Sequence, residues 1–238
     1  MAGTKRFAFN VIMNWIAMAV GMVVPFFLTP LVIRSLGPVA YGVWILAVST
    51  VAYLGLLDLG LRSAIVRFVC AADAQAKIDE VKKIVSSALW LRMLIAAVAV
   101  IASVVLSIVF PHVFKVPHDL GRAAQITVLL CALGVAITLV ANVFNGVLAA
   151  MQRFDLLSSI TMTQTVTRAV GVILILRSGR GLVSLAYWEF AVVTITGLIT
   201  VGAAFKVYPA CRVRMARPDR AILKMLWSHS FITFIWSI

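Results

Sequence analysis

Charge is scarce in this sequence. Only 12% of its residues are Asp, Glu, Lys or Arg, against about 25% in ordinary soluble domains, and the shortage falls hardest on acids, of which there are 8. With 63% of residues hydrophobic and a mean hydropathy of +1.09, a water-soluble domain is excluded, and so is a disordered chain, which is poor in large apolar residues. Cysteine is equally sparse. Cys70, Cys131 and Cys211 are odd in number and far apart, so they cannot frame a disulfide scaffold. No Cys-x-x-Cys pair and no histidine cluster offers a metal site; His112, His118 and His229 are scattered near or beyond helix ends. There is no Gly-x-x-x-x-Gly-Lys loop for nucleotide and no Gly-x-Ser-x-Gly elbow for a nucleophile. The sequence therefore calls for no cofactor, and it reads as a non-enzyme.

What is abundant is long apolar runs. A membrane-crossing helix needs about 20 mostly apolar residues, and six stretches meet or approach that: Phe9 to Ile33, Tyr41 to Val66, Ser86 to Phe110, Ala123 to Leu148, Ser158 to Leu176 and Leu182 to Phe205. A seventh run begins near Ile222 and reaches Ile238. The fold class is thus an all-α, polytopic transmembrane bundle: a six-helix lobe over residues 1–205, then a basic loop and an incomplete seventh helix over 206–238. The chain reads as one lobe of something longer, which a second lobe or a copy of itself would complete. Lys5, Arg6 and Ala17-Met18-Ala19 imitate a signal peptide, but the apolar run is too long for one.

The net charge of +13 has its Lys and Arg between the apolar runs. That pattern marks topology and anionic lipid headgroups, not a nucleic-acid surface. Fourteen basic residues fall on one side, among them Arg62, Arg67, Lys77, Lys82, Lys83 and Arg153, and five on the other. The excess places the N-terminus in the cytoplasm. Asp73 to Lys83 reads as a short interfacial helix, and Trp15, Trp44, Trp90, Trp188 and Trp227 as interfacial anchors. Small residues every fourth position, Ala99, Ser103 and Ser107, and then Ala132 and Ala136, permit close helix packing.

Polar side chains inside the runs carry the functional reading, because an ionisable group at the bilayer centre costs roughly 2.5 to 3.5 kcal/mol on insertion scales. Arg168 stands about mid-span in the fifth run. Thr161, Gln164, Thr165 and Arg168 share one helical face, and Thr138, Asn142 and Asn145 share one on the fourth span; together they predict a wet cavity. Taken singly, these hydroxyls and amides read as bonds across helices. Arg168 lines the cavity or pairs with a buried acid, Glu189 or Asp58. Asp58 and Arg62, at i and i+4, predict a helical ion pair or a gate at the cytoplasmic mouth. Pro25 and Pro30 predict a bend in the first span, whether static or a hinge for alternating access.

Two motifs add a resemblance. Pro25-Phe26-Phe27-Leu28-Thr29-Pro30 through Arg34-Ser35-Leu36-Gly37-Pro38 to Tyr41-Gly42-Val43-Trp44, followed by Leu56-Leu57-Asp58-Leu59-Gly60-Leu61-Arg62-Ser63-Ala64-Ile65-Val66-Arg67, resembles the opening of bacterial polysaccharide-biosynthesis flippases. These belong to the multidrug/oligosaccharidyl-lipid/polysaccharide superfamily. The likeness continues more weakly through an Arg in the fifth helix and Ser178-Gly179-Arg180-Gly181-Leu182. It implies a bacterial inner-membrane transporter of two six-helix lobes, of which this sequence covers about the first. It also implies alternating-access passage of a lipid-linked oligosaccharide from the cytoplasmic to the outer leaflet, with Arg168 as the cavity cation. An uncompensated Arg in a polar cleft would lower the crossing barrier of a phosphate-bearing headgroup while the tails stay in lipid. Three rival readings stand beside it. They are a cation-coupled drug exporter, which needs cavity acids; a membrane glycosyl- or acyltransferase, whose candidate bases are His112, His118 and Asp119; and a non-transporting scaffold for polysaccharide synthesis.

Overall fold

The computed structural model describes residues 2–58, 60–211, 219 and 222–223, with the side chains of 2–11, 56, 57 and 210 left aside. Among the described residues all regular structure is helical, in seven α-helices and two short 3-10 turns. They are α1 (Ala2–Leu36), α2 (Pro38–Ala52), a 3-10 turn (Tyr53–Asp58), α3 (Leu61–Ala74), α4 (Ile78–Val113), α5 (His118–Ala150), α6 (Phe154–Arg177), α7 (Leu182–Val207) and a second 3-10 turn (Pro209–Cys211). Six segments are long and apolar enough to cross a membrane. The protein is a multi-pass membrane protein. The seventh run predicted from Ile222, and most of 206–238 with it, lies outside the described residues.

Local chemistry sets the boundaries. α1 ends at Gly37, whose φ of +80° a side chain would resist, and Pro38 opens α2 where its missing N–H has no helical partner to lose. The second span is not the continuous helix predicted from Tyr41 to Val66. The helix stops at Ala52 in the 3-10 turn, the apolar stretch fit to cross a membrane runs Pro38–Gly55, and a separate 14-residue helix, α3, starts beyond Gly60, which takes the left-handed conformation at φ +68°. The hydropathy that merged the two pieces is blind to this break. Nor is Asp73 to Lys83 a separate interfacial helix. Asp73 and Ala74 close α3, Gln75 to Lys77 form a turn, and α4 has already begun at Ile78. At 36 residues α4 is about 54 Å long, so the α3–α4 hairpin overreaches a hydrocarbon core of about 30 Å.

The helices pack around α5, more than half of whose spanning stretch is buried, whereas α1 is almost wholly exposed and leans chiefly on α6. Two apolar clusters divide the bundle end to end. At one end Leu61, Ile65 and Val69 of α3 meet Val81, Ile84 and Val85 of α4 and Val143 and Val147 of α5. At the other, Val43, Ala47 and Val51 of α2 meet Phe110, Ala124 and Val128. The small-residue positions do allow close approach: Ala99, Ser103, Ser107, Ala132 and Ala136 are all buried. The Thr and Ser hydroxyls, however, bond within their own helices. Ser103 Oγ donates to Ala99 O at 2.6 Å, Thr138 Oγ1 to Gly134 O at 2.9 Å and Thr161 Oγ1 to Leu157 O at 2.9 Å. The expected bonds across helices give way to the turn's own carbonyl, which is always within reach of a helical hydroxyl.

Candidate functional site

A cavity of about 650 Å³ opens between α1, α2, α5, α6 and α7. Most of its wall is hydrocarbon: Val24 and Leu28 from α1, Trp44 and Val48 from α2, Val135 from α5, Leu185 and Phe190 from α7. Against that wall stand Thr138, Gln164, Thr165, Arg168 and Glu189. The polar face predicted on the fifth span thus reaches the cavity through three of its four members. Thr161, one turn earlier, is exposed and does not line it. Asn142 and Asn145 do not line it either; Asn145 Nδ2 donates to Asn142 Oδ1 at 3.0 Å, so the two amides satisfy each other. Gln164 makes no hydrogen bond among the described residues and keeps its amide free for a ligand.

Arg168 does have an acid. Its Nη2 donates to Glu189 Oε1 at 2.6 Å, and the side chains are 42% and 22% exposed. The expectation of an uncompensated cation is therefore corrected: at mid-span a lone guanidinium is too costly, and the carboxylate at matching depth on α7 offsets it. One carboxylate oxygen on one nitrogen uses a single donor of the five on a guanidinium; Nε is buried without a partner, and the remaining Nη donors can still bind an anion or a hydroxyl.

The register of that pair is set by two residues that the sequence reading misplaced or passed over. Trp188, expected as an interfacial anchor, lies against Gly171, where any Cβ would overlap the indole. This notch sits one turn beyond Arg168 on α6, and Trp188 adjoins Glu189 on α7, so the fit holds the two charges level. A glycine inside an apolar helix, three residues past the only Arg of that span's interior, was the signal available.

Pro25 and Pro30 both lie inside α1, which stays helical through them. Pro25 and Thr29 line the cavity, with Thr29 Oγ1 bonded to Pro25 O at 2.8 Å; Pro30 does not line it. Asp58 and Arg62 form no pair. The left-handed Gly60 between them destroys the i, i+4 geometry; Arg62 is exposed, and Asp58 pairs with Arg92 of α4.

The model of the family described as polysaccharide biosynthesis protein matches residues 7–238. The chain belongs to that family. Among curated proteins it is 22% identical over 170 residues to the "Uncharacterized membrane protein EpsK" of Bacillus subtilis (strain 168), covering 71% of this chain and 34% of that one. Its fold is that of solved transporters. A MATE protein in complex with MaD3S superposes with a TM-score of 0.72, and an outward-facing multidrug resistance MATE family transporter of the MOP superfamily with 0.71. A MOP superfamily transporter from Pyrococcus furiosus Vc1 (DSM3638), described as having a binding pocket of reverse polarity, gives 0.65. Each is 18% identical, and each match covers 95% of this chain and about half of the other, at 53%, 52% and 52% respectively. The family member described here thus spans about half the length of those transporters and a third of the curated relative, and it shares the fold of about half of each transporter.

Proposed function

We propose that this polysaccharide-biosynthesis family member forms the first lobe of a flippase, which carries a lipid-linked oligosaccharide from the cytoplasmic to the outer leaflet of a bacterial inner membrane by alternating access. The N-terminus lies in the cytoplasm, and a second lobe, or a copy of this one, closes the other side of the path. The observation that carries the reading is the mid-span cavity in which Arg168, 42% exposed, keeps donors to spare beside Gln164 and Thr165. An anionic, polyhydroxylated headgroup needs such donors where the bilayer offers none. Its hydrocarbon tail needs no protein, because lipid already surrounds the lobe. The lobe acts without bond-making chemistry.

The acid in the cavity keeps one rival alive, since a cation-coupled drug exporter would use Glu189 to bind its coupling ion. Glu189 is held by Arg168 at 2.6 Å, which favours the flippase.

The deciding experiment replaces Arg168 by Ala in the intact protein, at wild-type membrane level. A charge-assisted hydrogen bond contributes roughly 1.5–3 kcal/mol, so export of surface polysaccharide falls by about ten- to a hundredfold and lipid-linked repeat units accumulate. Full export in Arg168→Ala would overturn the assignment. If instead Glu189→Gln abolishes cation-dependent drug efflux, the exporter reading takes its place.

A further inference from the structure

Arg92 is the largest fully buried side chain in the described structure, 0% exposed, and it sits on α4 between the buried Ala88 and Ile95. Its sole partner among the described residues is Asp58, bonded through Nη2, while Nε and Nη1 have none. A charge pair there is expensive, and apolar residues of similar volume often serve stability as well or better. The core alone therefore gives no reason for Arg92.

The place of Asp58 does. It is the last residue of the 3-10 turn Tyr53–Asp58, where the predicted second span breaks, and the left-handed Gly60 follows. The break divides the predicted span between two separate cores: α2 belongs to the cluster around Phe110 and Val128, α3 to the cluster around Val85 and Val143. Among the described residues no apolar cluster joins α2 to α3: Leu54, early in the turn, packs with the α2 cluster, and at the turn's far end Asp58 is held by Arg92. Val51 and Ala52, the last residues of α2 before the turn, line the polar cavity. In transporters, discontinuous helices commonly form the wall of the mid-membrane site, so what holds this turn bears on the cavity.

We propose that Arg92 is a positioning residue for translocation. Through Asp58 it fixes the unwound turn against α4, sets the direction in which α3 leaves α2, and thereby places the Val51–Ala52 wall of the cavity. Arg92 itself does not line the cavity. Nε and Nη1 of Arg92 are buried and unpartnered while Asp58 is 33% exposed, so the pair is anchored on the α4 side and open on the side of the turn. The link to translocation rests on the flippase reading; the positioning of the turn does not.

The test uses the intact protein with Val39→Cys paired with the native Cys70, both exposed, and with Cys131 and Cys211 replaced by Ala. Spin labels at these two sites report the distance across the break. In Arg92→Met and in Asp58→Asn the distribution shifts or broadens by more than about 2 Å, the scale that separates rearrangement from side-chain adjustment, and export falls with it. Arg92→Lys, which keeps the charge, retains the parent distribution. Arg168→Ala, on another wall, leaves it unmoved. Parent distances in Asp58→Asn, or Arg92→Lys displaced as far as Arg92→Met, overturn the proposal; should Arg92→Met fail to accumulate, Asp58→Asn decides alone. If the distances behave as expected while Arg168→Ala exports normally, the positioning role stands and the flippase reading falls.

Discussion

At the scale of single residues, the Trp188–Gly171 fit turns a packing detail into a condition on the site. Because a Cβ at 171 would overlap the indole, Gly171→Ala must push α6 and α7 apart or rotate Trp188 away. Overpacking of this kind costs typically about 1–3 kcal/mol. The expected outcome is a lower melting temperature in detergent together with reduced export, even though no charged group has been touched; a variant that melts and exports like the parent would remove Trp188 from the account. Gly146 is a milder case of the same contact, its Cβ meeting Ile65 Cγ2 at 2.9 Å. Cys70 offers a pH-dependent readout. Partial burial, and secondly the Asp73 carboxylate, push its thiol up from the ordinary value, and its Sγ donates to Ala150 O at 3.3 Å. The reactive species is the thiolate. Labelling of Cys70 by a water-soluble maleimide is therefore slower than that of a free thiol at neutral pH, and its rate levels off at a higher pH than that of a free thiol. Tyr208 behaves likewise: burial first, then its hydrogen bond to Asp73 at 2.9 Å, push the phenol up to about 12. The protonated phenol is thus favoured by folding, a contribution present below the unfolded value near 10 and lost as the pH rises through about 12.

At the scale of elements, α1 forms one wall of the cavity, and Pro25 leaves the Gly21 carbonyl without its helical partner. Pro25→Ala restores that bond. It is expected to raise helix stability while lowering export if α1 must bend during the cycle; unchanged export would make the proline a static feature. The six spans were legible because their signal is length plus hydropathy, which needs no partner. The break at Tyr53–Gly60 was not. Its residues Leu54, Gly55 and Leu56 are as apolar as the helix they interrupt, and Arg92, whose guanidinium holds Asp58 at the end of the turn, is more than thirty residues away in sequence. The same distance hid the true partner of Asp58: a carboxylate and a guanidinium four residues apart look paired on paper, but one left-handed glycine redirects the chain. The Arg168–Glu189 pair was legible as an option because matching depth in antiparallel helices can be counted. The notch at Gly171 needed coordinates.

At the scale of the whole molecule, the chain order alternates between the two ends of the bundle, and the bonds Cys70–Ala150 and Tyr208–Asp73 tie the ends of α3, α5 and α7 together. Lys82, Lys83, Arg153 and Lys206 lie at or near the same end, the side for which a cytoplasmic orientation is proposed. A membrane-impermeant thiol reagent is expected to label Cys70 in inside-out vesicles and not in intact cells, which checks the proposed orientation without altering the protein. One feature of the architecture reaches back to biogenesis. α1 is made well before its chief neighbour α6, which begins only at Phe154. At roughly 5–20 residues per second of synthesis, α1 spends on the order of ten seconds in lipid with the lighter contact of α2 but without α6. Its exposed Ile12, Trp15, Phe26 and Phe27 suit a segment that faces lipid over most of its length during that interval. A polar substitution on the outer face of α1 would therefore be felt during synthesis before it was felt in transport.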